Sequence, residues 1–185
     1  MTIKSGSHSI GPENGKLTIN TYVGGMGSKA GHDLVLEATR WSGNVHVDAD
    51  NPSATRIDAT VDPTSFEILQ ATGGVKSLSD KDRVDIAANS DKTLNTSKHP
   101  QITFRSTRVN GVAPRLTLTG DLTIAGNTRP VDLEVTVQDA PGETRFTART
   151  VIVQTEFGVK PYSKLGVLKI KDPVDFQVEL ALPSA

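Results

Sequence analysis

Between residues 120 and 137 the chain reads GDLTIAGNTRPVDLEVTV. Leu122 and Ile124 alternate with polar neighbours. Val131, Leu133, Val135 and Val137 then alternate with Asp132, Glu134 and Thr136. A period of two places apolar side chains on one face of an extended strand and polar ones on the other. Ala125-Gly126-Asn127 lies between the two runs, and Gly and Asn tolerate the positive φ that a tight hairpin requires. This segment therefore reads as an antiparallel hairpin with one buried face.

The same alternation recurs through most of the 185 residues. Leu17 and Ile19 open it. A glycine-rich bend over residues 26–31 follows, and Leu34 to Ala38 runs on through Trp41, Val45 and Val47 as one strand, with a kink expected near Ser42-Gly43. Asp50-Asn51-Pro52 reads as a turn, and Ile57, Ala59 and Val61 as a strand that Asp62-Pro63 ends. Ile102 and Phe104, Leu116 and Leu118, Phe146 to Gln154, and Val174 to Leu182 add further strands. Asn110-Gly111 and Pro141-Gly142 are the expected turns, and residues 157–168 the expected long loop, with some strand content.

One segment breaks the period. From Ser79 to Asn95 there is no Pro or Gly, helix formers are frequent, and Ile86, Ala87, Ser90 and Leu94 fall on one side at helical spacing. Ser79 with Asp82 three residues later is a shortened capping box. His99-Pro100 stops continuation, because the residue before proline avoids the helical region. The stripe is too thin to organise a second core, so the helix is expected to cover an end or side of the sheet. The whole of 1–185 reads as one domain, and so many strands in hairpin order favour an antiparallel barrel or sandwich.

Composition excludes several classes of function. Lys+Arg number 20 against Asp+Glu 21, and aromatic residues are 4%, so both the basic footprint and the stacking platforms of a nucleic-acid binder are missing. There is no cysteine, which removes disulfides, thiolate catalysis and cysteine-type zinc sites. None of His8, His32, His46 and His99 pairs with another at a metal-binding spacing, so neither a metal nor a cofactor is expected. No stretch reaches transmembrane length and the first residues lack an apolar signal core, which together give a cytoplasmic expectation. GMGSKA at 25–30 matches a dinucleotide fingerprint, but extended sequence follows it where a helix is needed. Neither a nucleophile elbow nor a paired-carboxylate pattern occurs.

Several segments resemble one family, the YceI-like proteins. GGVKSLSDKDR at 73–83 resembles their helix entry, and HPQITFRS at 99–106 their following strand. GDLTI at 120–124 with GNTRPV at 126–131 is similar to their hairpin, and Gly31-His32-Asp33-Leu34 and the last strand also fit. The resemblance implies a lipocalin-like antiparallel barrel whose interior holds a long isoprenoid chain. It also implies a frequently secreted setting, from which the start of this chain departs. Applied to a barrel, the alternation expects Ile57, Val61, Phe104, Leu118, Leu122, Leu133, Val135, Phe176 and Val178 to face inward and line a ligand cavity. His32, Lys76 and Arg83 are candidates to meet a lipid head group. The expected partner is an isoprenoid or other long-chain lipid, with no nucleic acid; a homodimer is compatible with the chain. Two rival readings stand beside this binding protein. A small hydrolase or isomerase would need a titratable group in the pocket, His32 first and Tyr162 second. A stress-related structural protein would have a filled core.

Overall fold

The computed structural model describes residues 3–48 and 50–184. In chain order the strands are β1 (Gly6–Ile10), β2 (Gly15–Thr21), β3 (Val23–Gly24), β4 (His32–Ala38), β5 (Trp41–Val47), β6 (Arg56–Val61) and β7 (Phe66–Gly73). After the helix α1 (Asp80–Leu94) come β8 (Ile102–Val112), β9 (Arg115–Ile124), β10 (Asn127–Ala140), β11 (Glu143–Val153), β12 (Ser163–Lys164), β13 (Leu168–Ile170) and β14 (Pro173–Pro183). Among the described residues, eleven strands form one antiparallel sheet in the order β1-β5-β6-β8-β9-β10-β11-β14-β2-β4-β7. β12, β13 and β3 form a small second sheet.

Period two is what builds the walls. In β10, Leu133, Val135 and Val137 are buried while Asp132, Glu134 and Thr136 are exposed. The register pairs Leu133 with Leu118 on one side, and Val135 with Ala148 on the other. Apolar cross-strand pairs of this kind hold a sheet to one register.

The sheet closes through the chain itself. Its hydrogen-bonded order has two ends, β1-β5-β6 and β2-β4-β7. Three short segments cross between them: residues 11–14 from β1 to β2, 39–40 from β4 to β5, and 62–65 from β6 to β7. The last two corners are tied together. Thr39 N–H donates to the Ser65 carbonyl at 3.2 Å and Asp62 N–H to the Arg40 carbonyl at 3.0 Å. Ser65, 2% exposed, accepts Arg40 N–H on its hydroxyl at 3.0 Å. Asp62 caps the short turn Pro63–Ser65 by accepting Thr64 N–H at 2.8 Å, and it takes Arg40 Nε–H at 2.9 Å. These bonds hold the Asp62 carboxyl below the ordinary aspartate value, the Thr64 hydroxyl most of all. The result is an all-β barrel with one helix.

α1 begins as the sequence implies. Ser79 and Asp82 form a reciprocal capping box, and Asn95 ends the helix in the left-handed region at φ 51°. No residue of α1 is buried, and Val84 is 68% exposed. The helix lies beside β7, whose outer edge has no strand partner in the sheet among the described residues; Arg83 Nη1 donates to the Ile68 carbonyl there at 3.3 Å.

Three local expectations are corrected. The kink near Ser42-Gly43 lies instead at residues 39–40, because the chain must leave one end of the sheet for the other there. Gly43 serves a different need: a Cβ on it would meet the Asp58 carbonyl oxygen at 2.4 Å, so only glycine lets β5 and β6 approach. Asn110-Gly111 is not the turn. The ladder continues to Val112 paired with Arg115, and the chain reverses at Ala113-Pro114. β1 is an added strand, since its sequence GSHSI alternates small and polar residues and carries only Ile10 as an apolar mark.

Candidate functional site

The barrel encloses an apolar cavity of about 300 Å³ that extends along its interior. Core packing is split around it into three clusters. One holds Ile10, Leu17, Trp41 and Leu182; a second holds Val109, Leu118, Leu133 and Val135; a third holds Ile152, Phe157, Val159 and Val174. Phe176 packs against all three. A filled core would give one contiguous cluster. Here the strands are covered on their inner face while space remains between them, which sets aside the filled-core reading.

All nine residues expected to face inward stand in the cavity wall: Ile57, Val61, Phe104, Leu118, Leu122, Leu133, Val135, Phe176 and Val178. Trp41 and the phenylalanines Phe66, Phe146 and Phe157 stand there too. Gly120 makes room for one of them, because a Cβ at that position would meet the Phe104 ring at 2.3 Å. Among the described residues the wall includes no Asp, Glu, Lys, Arg, His or Tyr. Its polar members are Thr21, Thr55, Ser90, Thr93, Thr150 and Gln154. Gln154 is already engaged, its Nε2 donating to the carbonyls of Lys171 at 3.0 Å and Asp172 at 3.1 Å. Trp41 Nε1 is buried without a hydrogen-bond partner.

Polarity is graded along the barrel. Thr21 ends β2, Gln154 follows β11, and Ser90 and Thr93 lie on α1, so four of the polar wall residues gather at the helix end. At the far end, Ile3 and Leu182 are 3% and 2% exposed, and Ile3 bridges to Ser184. The polar helix side is thus the candidate mouth of the cavity, where Leu94 packs against the cluster of Phe157 and Val159.

His32, Lys76 and Arg83 lie at this same end but outside the wall. His32 Nε2 bonds to the Lys76 carbonyl at 2.9 Å, and a Cβ on Gly74 would collide with the imidazole at 2.3 Å. The histidine therefore braces the connection between β7 and α1. Lys76 is exposed, and Arg83 holds the β7 edge as described. Tyr162 is likewise absent from the wall. Sequence reasoning missed Ser90 and Thr93, which give the mouth its hydroxyls. It also missed Val159, 2% exposed beside the buried Phe157, in a segment read as a long loop with some strand content. The signal was present: two apolar residues flank Gly158, which turns at φ 70°.

Outside the cavity one tyrosine has a defined partner. Tyr22 O–H donates to Asp175 Oδ2 at 2.5 Å, and this bond, followed by burial, raises the phenol above its ordinary value. Among the described residues no cluster of three or more metal-type ligands occurs, and no helix is long and apolar enough to cross a membrane.

The chain matches the YceI-like domain over residues 11–182. It belongs to the YceI-like family. Protein YceI of Escherichia coli O157:H7 is 33% identical over 126 residues, 65% of this chain and 60% of that protein. Protein YceI of Salmonella arizonae is 34% identical over 94 residues, 51% of this chain and 44% of that protein. The matched region thus spans about 60% or less of the length of these curated relatives. Among solved structures, BcnA of Burkholderia cenocepacia superposes with a TM-score of 0.66 at 19% identity, covering 91% of this chain and 96% of that one. The Campylobacter jejuni YCEI protein superposes at 0.61 with 18% identity, over 81% of this chain and 84% of that one. At these identities the likeness to solved structures is one of fold, and the YceI-like barrel is the fold they share.

Proposed function

We propose that this YceI-like protein binds and carries a long, linear lipid of polyisoprenoid type, with the tail enclosed in the barrel and the head at the helix end. The observation that carries the reading is the cavity wall: long, aliphatic and aromatic, and without a charged residue among the described ones. Such a wall gains from every methylene it removes from water, about 0.8 kcal/mol each. It also penalises any charge carried inward. A head group is therefore left at the mouth, beside Ser90 and Thr93, with His32, Lys76 and Arg83 as candidates for contact beyond the rim. The isoprenoid class follows from family membership. The shape and chemistry of the wall ask only for a long apolar chain.

Catalysis has little support in this wall. General acid–base chemistry needs a titratable group within reach of the substrate, and His32 and Tyr162 are both off the wall. Organic extraction of the purified protein followed by mass spectrometry tests the proposal. A prenyl lipid recovered in near-stoichiometric amount is the expected result, with extracted protein taking up prenols more tightly as chain length grows until the barrel is full. Protein that emerges empty and takes up no prenol of any length sinks it.

A further inference from the structure

The most exposed large apolar side chains of the described residues are Met26 at 94% and Leu165 at 92%. They are far apart in sequence and neighbours in the fold. Gly27 N–H donates to the Val167 carbonyl at 3.1 Å, and a Cβ on Gly25 would lie 2.7 Å from that same oxygen, so the loop carrying Met26 is seated on the turn carrying Leu165. Val167 itself is 47% exposed. The two loops belong to the small sheet of β3, β12 and β13. That sheet is attached at the cavity mouth, where Lys171 N–H donates to the Tyr22 carbonyl at 2.8 Å and Gln154 holds residues 171 and 172.

Leu165 is the wrong residue for its backbone. It has φ 53° and Gly166 has φ 70°, with Val167 N–H closing the turn onto the Lys164 carbonyl at 3.1 Å. Positive φ at both centres of a hairpin turn selects Asn, Asp or Gly, and costs any other residue strain. A leucine here is strained and contributes no burial, so the fold has no use for it.

The charge on the two loops themselves is positive. Lys29, Lys164 and Lys169 are exposed around the tips, and none makes an ion pair among the described residues. Lys160 and Lys171, also exposed, flank the outer ends of the hairpin. The carboxylates packed beside the small sheet are mostly engaged in hydrogen bonds, and the exposed Asp80 and Asp85 lie on α1 and not on the loop tips. Asp33 accepts Val23 N–H, Asp172 accepts Thr155 N–H and Asp175 accepts the Tyr22 hydroxyl, which leaves Glu156 exposed.

We infer that the tips of Met26 and Leu165, collared by lysines at the cavity mouth, dock this protein on the surface of an anionic phospholipid bilayer. Apolar side chains on convex loop tips have no shape a folded partner would need to match, whereas the acyl boundary of a bilayer accepts them without a pocket. Lys164, next to Leu165, with Lys29 and Lys169 further behind the tips, then sits at the height of anionic head groups. The mouth would be brought against the membrane from which an apolar cargo is taken. The inference rests on the lipid-carrier reading for that purpose alone; docking itself does not require a cargo.

The test is cosedimentation of the full chain with vesicles of phosphatidylcholine alone or with about one third phosphatidylglycerol. Binding is expected only to the anionic vesicles, and it should weaken as salt is raised. Met26→Ser with Leu165→Asn should lower partitioning by at least about tenfold. Lys164→Gln and Lys169→Gln should each lower it roughly fivefold. Leu165→Asn relieves the backbone, so its melting temperature should not fall, which separates loss of docking from loss of fold. Prenol uptake from detergent should be unchanged in these variants: lost docking with intact uptake and lost uptake with intact docking distinguish this inference from the carrier reading. The inference is overturned if the wild type ignores anionic vesicles, or if the Met26/Leu165 variant binds as well as wild type. If the lysine variants lose binding while the apolar variant keeps it, the patch is a polyanion site, and membrane docking is equally refuted.

Discussion

Ala148 lines the cavity from β11, opposite Val135 on β10 and Val178 on β14. Ala148→Trp would push an indole into the void. In a cavity of about 300 Å³ the ring displaces empty space and not packed side chains. Taking it to fill roughly a third of the volume, at about 24 cal/mol per Å³ of void, the recovered packing is worth about 2 kcal/mol. Fixing the side chain returns about 1 kcal/mol to entropy. Lipid-extracted protein should therefore melt a few degrees higher than extracted wild type, at roughly 2–4 °C per kcal/mol for a chain of this size. Prenol uptake should fall sharply, most of all for the longest chains. A conventional core responds in the opposite sense, since overpacking costs about 1–3 kcal/mol. Differential scanning fluorimetry with a parallel uptake assay reads both effects. A drop of several degrees, or uptake at wild-type level with the indole inside, refutes the reasoning.

Removing bound lipid should destabilise the protein, by at most about 7 kcal/mol if the whole void empties; calorimetry before and after extraction measures it. Leu133→Asp places a carboxylate in the wall at a position 6% exposed, and should cost several kcal/mol, seen as a large loss of thermal stability. Asp62→Ala removes the cap at the tied corners and should cost about 1–2 kcal/mol in urea unfolding, with loss of the acid-side dependence that the lowered carboxyl brings. That contribution is present above the unfolded aspartate value near 3.8 and lost as pH falls through the lower folded one. Tyr22 runs the other way: its folded value is raised, so its contribution is whole below about pH 10 and lost as pH climbs through the raised value. Tyrosinate absorbance should show one of the two tyrosines titrating late, and Tyr22→Phe should abolish that phase at a cost of about 1 kcal/mol.

Strand content was legible because one-sided burial writes itself as period two, and β10 and β14 carried the signal without interruption. Phase survived where no bulge intervened, which is why residues as far apart as Ile57 and Val178 could be assigned to one interior face. Closure was not legible. Residues 39–40 look like any stretch between two apolar runs, and only pairing with residues 62–65 turns them into corners. β1 was hard to see because, of its three inward positions, Gly6, His8 and Ile10, only the last is apolar. The head-group candidates show the other limit. His32 beside a glycine bend reads equally well as a brace or a ligand contact, and the Lys76 carbonyl that it bonds lies 44 residues away.

The corners also bear on how the chain reaches this shape. β8 to β11 form a meander in which each strand pairs with the next, so residues 102–153 make their contacts locally. β2, near the start, must wait for β14, where Asn20 meets Asp175. Local pairings form early and distant ones late, because closing a long loop costs entropy before any contact repays it. The meander is thus the natural nucleus, and the last strand the latch. Until that strand docks, β2 and β11 both present open edges, and the apolar inner face that later encloses a cavity lies bare to solvent. Slow folding, with aggregation competing at that one step, is the kinetic counterpart of a hollow barrel in which β2 and β14, from opposite ends of the chain, must pair.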